Sequence, residues 1–143
     1  MVIPYARQSI SQQDINAVAE VLQSDYLTQG PVVPAFEDAV SELVGAKYAV
    51  AGNSATSMLH VACLALGVTA GDRVWTAPNS FVASANCALY CGAEVDFVDI
   101  DSETFNMSPT ALAVKLEQAS KSNTLPKVII PVHMGGQYCD MQS

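Results

Sequence analysis

The pattern of hydrophobic and polar positions changes character at about residue 45. Before that point, apolar residues recur every three or four positions in two stretches, a spacing that predicts two amphipathic helices. The first stretch opens with Ser11 and, three residues later, Asp14, which together form a helix-capping signal. The second stretch ends at Gly45, a typical helix stop. Residues 25–31 lie between them and end in a Gly-Pro breaker, so they are predicted to form a loop.

After residue 45, short apolar segments alternate with longer helical ones. Three helices are expected there, the last one started by Ser108 as the N-cap and Pro109 in the first turn. The short segments are partly β-branched and lack a polar side, as expected of strands buried on both faces. They are residues 48–51, 74–77, 95–100 and 128–132. This alternation predicts an α/β fold, three layers α/β/α with mainly parallel strands.

The turn 52–57 joins the first predicted strand to an apolar helix. The first N–H groups of such a helix are unpaired, and the helix dipole favours an anion beside them. Small side chains at Ser54, Ala55 and Ser57 would let a phosphate approach, and the Thr56 hydroxyl would add a donor. The alternative is an ordinary serine N-cap that binds no ligand.

Composition narrows the classes of protein to consider. A chain of 143 residues suits one domain. A formal net charge of −8 argues against nucleic acid as a partner. No apolar run approaches the roughly 18 residues of a membrane span, and no signal peptide is recognisable at the start, so a soluble, cytoplasmic protein is expected. The four cysteines form no CxxC pair, so we expect buried free thiols and no metal site.

Two phosphate-binding fingerprints are missing from the sequence. Neither the GxGxxG pattern of dinucleotide-binding domains nor the GxxxxGK[ST] pattern of a P-loop follows a predicted strand. A plain nucleotide-binding α/β domain is therefore disfavoured.

Four segments together resemble the sugar aminotransferases of the DegT/StrS type, and within that family the branch that acts in pseudaminic acid biosynthesis. The segments are residues 27–31, 53–57, 78–83 and 131–136. The resemblance implies a partial fold-type-I large domain that binds pyridoxal 5′-phosphate (PLP), in a protein that works as a homodimer. It assigns residues 1–30 to an N-terminal arm, helix and substrate loop. Residues 31–143 would be the N-terminal, incomplete part of the PLP-binding large domain.

The resemblance also implies roles for individual residues. Ala55 and Thr56 would bind the cofactor phosphate, and Phe81 would stack on the pyridine ring; core packing is the alternative for Phe81. His133 matches a position near the cofactor, although a structural role is as compatible with a single histidine at a strand end. The positions that match contacts to a nucleotide-linked sugar are Tyr5, Asp25, Tyr26, Leu27 and Thr28. By composition alone these are an N-terminal arm and a surface loop.

The implied activity is the transfer of an amino group, with glutamate as donor, to a nucleotide-linked 4-keto-6-deoxy sugar. Such chemistry needs a lysine that forms a Schiff base with the cofactor. The lysines here precede strands or lie in a polar helix and linker, so the Schiff-base lysine and the aspartate that pairs with the pyridine nitrogen are expected beyond Ser143. The chain is then about the first third of the enzyme and inactive by itself. The alternative is a non-catalytic binding or regulatory module.

Overall fold

The structure, a computed structural model, describes residues 7–143. The chain divides into two units, one ending at Ala51 and the other running from Gly52 to Ser143. The boundary expected near residue 30 separates the arm, helix and substrate loop implied by the resemblance from the PLP-binding domain, and it stays a prediction.

The first unit contains the two predicted amphipathic helices, α1 (Gln12–Gln23) and α2 (Val32–Val44). Helix α1 begins with the predicted capping box: the Ser11 hydroxyl accepts the Asp14 N–H, and the Asp14 carboxylate accepts the Ser11 N–H at 2.7 Å. Helix α2 ends at Gly45, whose φ of 67° is in the left-handed region that glycine adopts without strain. Both predicted helices are confirmed, and neither contains a buried residue.

The second unit is built on a parallel three-stranded sheet. Its strands are β1 (Arg73–Thr76), β2 (Glu94–Phe97) and β3 (Val128–Ile130), in the spatial order β2-β1-β3. In this register, Trp75 of β1 lies opposite Asp96 on one side and Ile129 on the other. The helices of this unit are α3 (Ala55–Ala65), α4 (Ala83–Tyr90) and α5 (Pro109–Ser122), and a short 3₁₀ turn, Met134–Gly136, follows β3.

Helices cover both faces of this sheet. Successive residues of β1 point to opposite faces, so their packing partners show which helix lies on which face. Val74 packs with Cys63 and Cys87, which lie on α3 and α4. Trp75 packs on the other face with Ala119 of α5. The three-layer α/β/α arrangement predicted from the sequence is therefore confirmed for the second unit.

The predicted strand at 48–51 was wrong. Tyr48 and Val50 are 75% and 72% exposed, and the segment pairs with no strand among the described residues. An apolar run becomes a strand only when a neighbour supplies the hydrogen-bonded ladder, and an apolar pattern does not show whether that neighbour is available.

Two predicted strands are also shorter than expected. Strand β2 ends at Phe97, because Ile100 leaves the sheet to form a bridge with Met107. Strand β3 ends at Ile130, directly before Pro131, a residue that has no N–H to donate to a ladder.

The remaining composition-based expectations can be compared with the described residues. All four cysteines are free thiols, and three of them are buried as predicted, whereas Cys91 is only half-buried. No cluster of three or more metal-binding side chains is found among residues 7–143. In that same part of the chain, no helix has the length and apolarity needed to cross a bilayer.

Candidate functional site at the carboxyl ends of the strands

Lys127 shows which way helix α3 runs relative to the sheet. Its Nζ donates to Gly67 O at 2.6 Å, just past the end of α3, and to Asp72 Oδ2 at 2.9 Å, just before β1. The last turn of α3 therefore lies beside the amino ends of β1 and β3. A helix of 11 residues is about 16 Å long, so its first turn reaches the opposite edge of the sheet. That edge, where the strands end, is where open α/β sheets bind ligands.

The first turn of α3 leaves two backbone donors unpaired. Ser54 is the N-cap, and its hydroxyl accepts the Ser57 N–H at 3.2 Å, while Met58 N–H donates to Ser54 O at 3.0 Å. Among the described residues, no acceptor contacts the N–H of Ala55 or of Thr56. Ala55 is exposed and Thr56 half-buried, so an anion can reach both N–H groups.

Phe81 lies in the loop that leads from β1 into α4, at the same edge. Its carbonyl accepts the Ser84 N–H at 3.0 Å, and the Ser80 and Ser84 hydroxyls are 2.7 Å apart, so the loop is well tied to the helix. The Phe81 side chain itself is 74% exposed. The Phe81 ring therefore does not pack into the core of the described residues, and its stacking on a ligand stays a prediction.

His133 follows β3 and lies at the same edge as well. Its Nδ1 accepts the Cys139 N–H at 3.0 Å, which places the ring hydrogen on Nε2. The ring also packs edge-to-face against Tyr138, with the centroids 5.2 Å apart. The free donor of His133 is therefore its Nε2–H.

Three of the four lysines lie in the second unit, and none of the three lies beside the first turn of α3. Lys127 is at the amino ends of the strands. Lys115 of α5 donates to Phe97 O at 2.6 Å, at the end of β2, but it lies over the Trp75 ring, on the face of the sheet opposite α3. Lys121 pairs with Glu117 on the same helix. Among these side chains, none is placed to bond covalently to a ligand at the first turn of α3.

The residues that match sugar contacts belong to the first unit. Tyr5 lies outside the described residues. Asp25, Tyr26, Leu27 and Thr28 form the predicted loop, in which Tyr26 and Leu27 are 60% and 66% exposed. Gly30 fixes its shape, because a Cβ there would approach Tyr26 Cβ to 2.7 Å. Contact of this loop with a ligand stays a prediction.

A large cavity lies on the other face of the sheet from α3. It encloses about 960 Å³ beside α5 and β2, where Trp75, Asp96 and Lys115 are among its lining residues. Four of its charged side chains are already paired, since Lys115 bonds Asp96 and Arg73 bonds Glu94 at 2.8 Å. The convergence of unpaired donors and an exposed ring, rather than cavity size, identifies the candidate site.

Sequence reasoning missed two asparagines at the same edge. Asn79 Nδ2 donates to Phe105 O at 2.8 Å, and Asn106, 4% exposed, bonds the backbone that follows His133. Asn79 lies in the loop after β1 and Asn106 in the longer connection between β2 and α5, where polar residues are common. Only the positive φ of Phe105, 58°, marks the turn as unusual, and a sequence does not show it.

A parallel three-layer α/β unit with a helix N-terminus at the carboxyl edge belongs to the class of open α/β folds, in which ligands bind at that edge. Comparison with known proteins narrows that class. The sequence model of the DegT/DnrJ/EryC1/StrS aminotransferase family matches residues 8–143. The chain belongs to this family.

Individual relatives agree with that assignment. The chain is 43% identical over 141 residues to the spore coat polysaccharide biosynthesis protein SpsC of Bacillus subtilis, covering 99% of this chain and 35% of SpsC. Among solved structures, it is similar to PseC of Helicobacter pylori, an aminotransferase involved in the biosynthesis of pseudoaminic acid, with a TM-score of 0.85, 32% identity and coverage of 96% and 36% of the two chains.

A further solved relative was determined with cofactor. The Spr1654 protein of Streptococcus pneumoniae, solved in its PLP form, gives a TM-score of 0.83 at 30% identity, covering 96% of this chain and 34% of that one. These matches confirm the predicted partial PLP-transferase fold. The chain spans about a third of the length of the relatives it matches.

Proposed function

We propose that this chain is the part of a PLP-dependent sugar aminotransferase that binds the phosphate and one face of the cofactor. The observation that carries the proposal is the pair of unpaired N–H groups of Ala55 and Thr56 at the carboxyl edge. Family membership and the PLP form of Spr1654 support PLP as the ligand.

The residues at this edge fit part of the cofactor. The two N–H groups and the Thr56 hydroxyl are donors for a phosphate dianion, and the dipole of α3 adds to their attraction. The exposed Phe81 ring offers an apolar face to the pyridine ring. When bound, PLP supplies the electron sink that amino transfer requires. Holding the phosphate and the ring fixes the cofactor's orientation, which is the contribution of these residues to the reaction.

The lysine that bonds to the cofactor would come from outside this chain. This part of the proposal agrees with the positions of Lys115, Lys121 and Lys127, none of which lies beside the first turn of α3: Lys115 and Lys121 are on α5, across the sheet, and Lys127 is at the amino ends of the strands. It also agrees with coverage of about a third of each relative. The complete protein would then act as a homodimer in the cytoplasm, with Tyr5 and the loop 25–28 contacting the sugar nucleotide.

For the substrate, we propose a UDP-linked 4-keto-6-deoxy sugar, aminated at the keto carbon with glutamate as donor. The product would be a UDP-4-amino-4,6-dideoxy-N-acetyl-altrosamine on the way to pseudaminic acid. The similarity to PseC supports this choice, and the similarity to SpsC supports a sugar substrate more generally.

The test uses the full-length gene product purified with PLP. It is incubated with glutamate and a UDP-linked or a dTDP-linked 4-keto-6-deoxy sugar, and the amino sugar is measured by mass spectrometry. We expect amination, faster with the UDP-linked sugar. Amination of the dTDP-linked sugar alone would overturn the substrate assignment. Bound PLP without any amination would favour the non-catalytic module, and failure to retain PLP would overturn the proposal as a whole.

A further inference from the structure

Asn106 is the most deeply buried polar side chain at the carboxyl edge outside the strands, with 4% of its surface exposed. Its amide makes a hydrogen bond with each of three backbone groups more than 25 residues away. The Oδ1 accepts the Met134 N–H at 2.9 Å, and the Nδ2 donates to Gln137 O at 3.2 Å and to Tyr138 O at 3.1 Å. One side chain thus holds the backbone of the segment 134–138, here called the post-β3 turn.

The turn that contains Asn106 is itself held in place. The Asp101 carboxylate accepts the Thr104 N–H at 2.8 Å, and the Asp101 N–H donates to Asn106 O at 2.9 Å. The hydrogen bond from the Thr104 N–H, first among several, lowers the pKa of the Asp101 carboxyl below its usual range. Phe105, between them, adopts a φ of 58° and accepts the bond from Asn79. These hydrogen bonds therefore hold Asn106 in one position.

The post-β3 turn in turn orients His133. Cys139 closes the turn, since its N–H donates to His133 Nδ1 and its thiol donates to Val132 O at 3.3 Å. Tyr138, whose carbonyl is bonded by Asn106, packs against the imidazole ring. The ring nitrogen left free is Nε2, a hydrogen-bond donor at the edge where β1 and α3 present Phe81 and Thr56.

We propose that Asn106 is a positioning residue: it holds the post-β3 turn so that the Nε2–H of His133 is a fixed donor for an oxygen atom of the bound ligand. The ligand half of this inference rests on the proposed function, whereas the positioning half does not. Replacing Asn106 removes its amide and leaves three backbone groups without a partner: the Met134 N–H and the carbonyls of Gln137 and Tyr138. The turn should therefore open when Asn106 is changed.

The labelling rates of the individual cysteine thiols measure that opening of the turn within one protein sample. Cys139, directly after the post-β3 turn, is buried, at 8% exposure, whereas Cys63 and Cys87 are buried between α3 and α4. Desolvation, with the neighbouring Cys87 adding to it, raises the pKa of the Cys63 thiol to about 11, so its labelling is slow unless the core opens. Alkylation followed by peptide mass spectrometry reads the thiols separately in one sample.

The experiment compares the full-length gene product with its Asn106→Ala and Asn106→Asp variants. The Asp side chain keeps an acceptor for Met134 N–H and loses both donors to Gln137 and Tyr138. Asn86→Ala is the matched control, because the half-buried Asn86 side chain forms no hydrogen bond among the described residues. We expect Cys139 labelling to accelerate about tenfold or more in both Asn106 variants, with Cys63 and Cys87 changed less than about twofold.

Equal acceleration at Cys63, Cys87 and Cys139 would show that Asn106 only supports the core, and it would overturn the proposal, as would unchanged labelling of Cys139. The ligand half is tested by equilibrium dialysis with PLP. If Asn106 acts through His133, the double variant Asn106→Ala, His133→Ala binds PLP as weakly as His133→Ala alone, and additive losses would contradict this. If the wild type binds no PLP, the proposed function fails, while the labelling result still decides the positioning role.

Discussion

Helices α3 and α5 start in nearly the same way, yet only α3 is suited to hold an anion. Each begins at the carboxyl edge with a serine N-cap whose hydroxyl accepts the N–H three residues on, at 3.2 Å in both: Ser54 from Ser57, and Ser108 from Ala111. The difference is the first helical residue. It is Ala55 in α3 and Pro109 in α5, and proline has no N–H.

That difference changes what each helix start offers to a ligand. In α3 the N–H groups of two successive residues are adjacent and unpaired among the described residues, so one phosphate can accept from both. In α5 the proline removes the first donor, and its ring takes part in the wall of an apolar groove with Met107 and Leu112. The N–H of the residue after the serine cap is therefore necessary for a phosphate site, and the surroundings of the helix start contribute as well.

The largest effect is expected when the first residue of α3 is replaced by the proline that begins α5. Ala55→Pro removes one donor, while Ser54 already has the extended backbone, ψ 155°, that a following proline favours. We expect PLP affinity of the full-length gene product to fall at least about tenfold, because a hydrogen bond to a charged group is lost. Phosphorus NMR of the ligand measures the affinity, and circular dichroism checks that the helix remains. Unchanged affinity with an intact helix would refute the role of Ala55.

A smaller loss is expected from removing the side-chain donor alone. Thr56→Val keeps the shape and the N–H of this half-buried residue and deletes its hydroxyl. PLP affinity should fall about fivefold, and the same titration detects it. Thr110→Val, at the equivalent position of α5, is the control and should leave the affinity unchanged. Equal effects of the two variants would mean that the helix starts do not differ in function.

The two serine caps should be equivalent for stability, although not for binding. Ser54→Ala and Ser108→Ala are each expected to cost about 1 kcal/mol of unfolding free energy, measured by urea denaturation. Only Ser54→Ala should also weaken PLP binding, because Ser54 orients the first turn of α3. A loss of PLP affinity in Ser108→Ala would contradict the comparison.

The reverse substitution should have the smallest effect. Pro109→Ala restores the missing N–H at the start of α5. We expect no additional phosphate site, and a stability change within about 0.5 kcal/mol, because alanine suits the first turn nearly as well. A second phosphate resonance in slow exchange would show that the N–H alone creates a site and that its surroundings are irrelevant.

Much of the fold could be predicted from the sequence, because local signals and tertiary packing agree. The capping box of α1, the glycine after α2 and the Ser108-Pro109 start of α5 are all present as predicted. The segment 48–51 failed because strand formation depends on a partner, which an apolar pattern does not contain.

The candidate site was predictable only where its chemistry is local. The small residues around Ala55 indicate a turn that could accept a phosphate, with an ordinary serine cap as the alternative, and the resemblance added Phe81. Asn106 acts across about 30 residues of chain through backbone groups, whose positions depend on the folded sheet. No local pattern distinguishes such an asparagine from a solvent-exposed one.

The central claim is that the first turn of α3 binds the phosphate of the cofactor. The most direct measurement compares the affinity of the wild-type, full-length gene product for PLP with its affinity for pyridoxal, which lacks the phosphate, and repeats the comparison in Ala55→Pro. We expect a preference for PLP of about tenfold or more in the wild type, sharply reduced in the variant. Equal affinity for the two ligands in the wild type, or a preference that Ala55→Pro leaves intact, would contradict it.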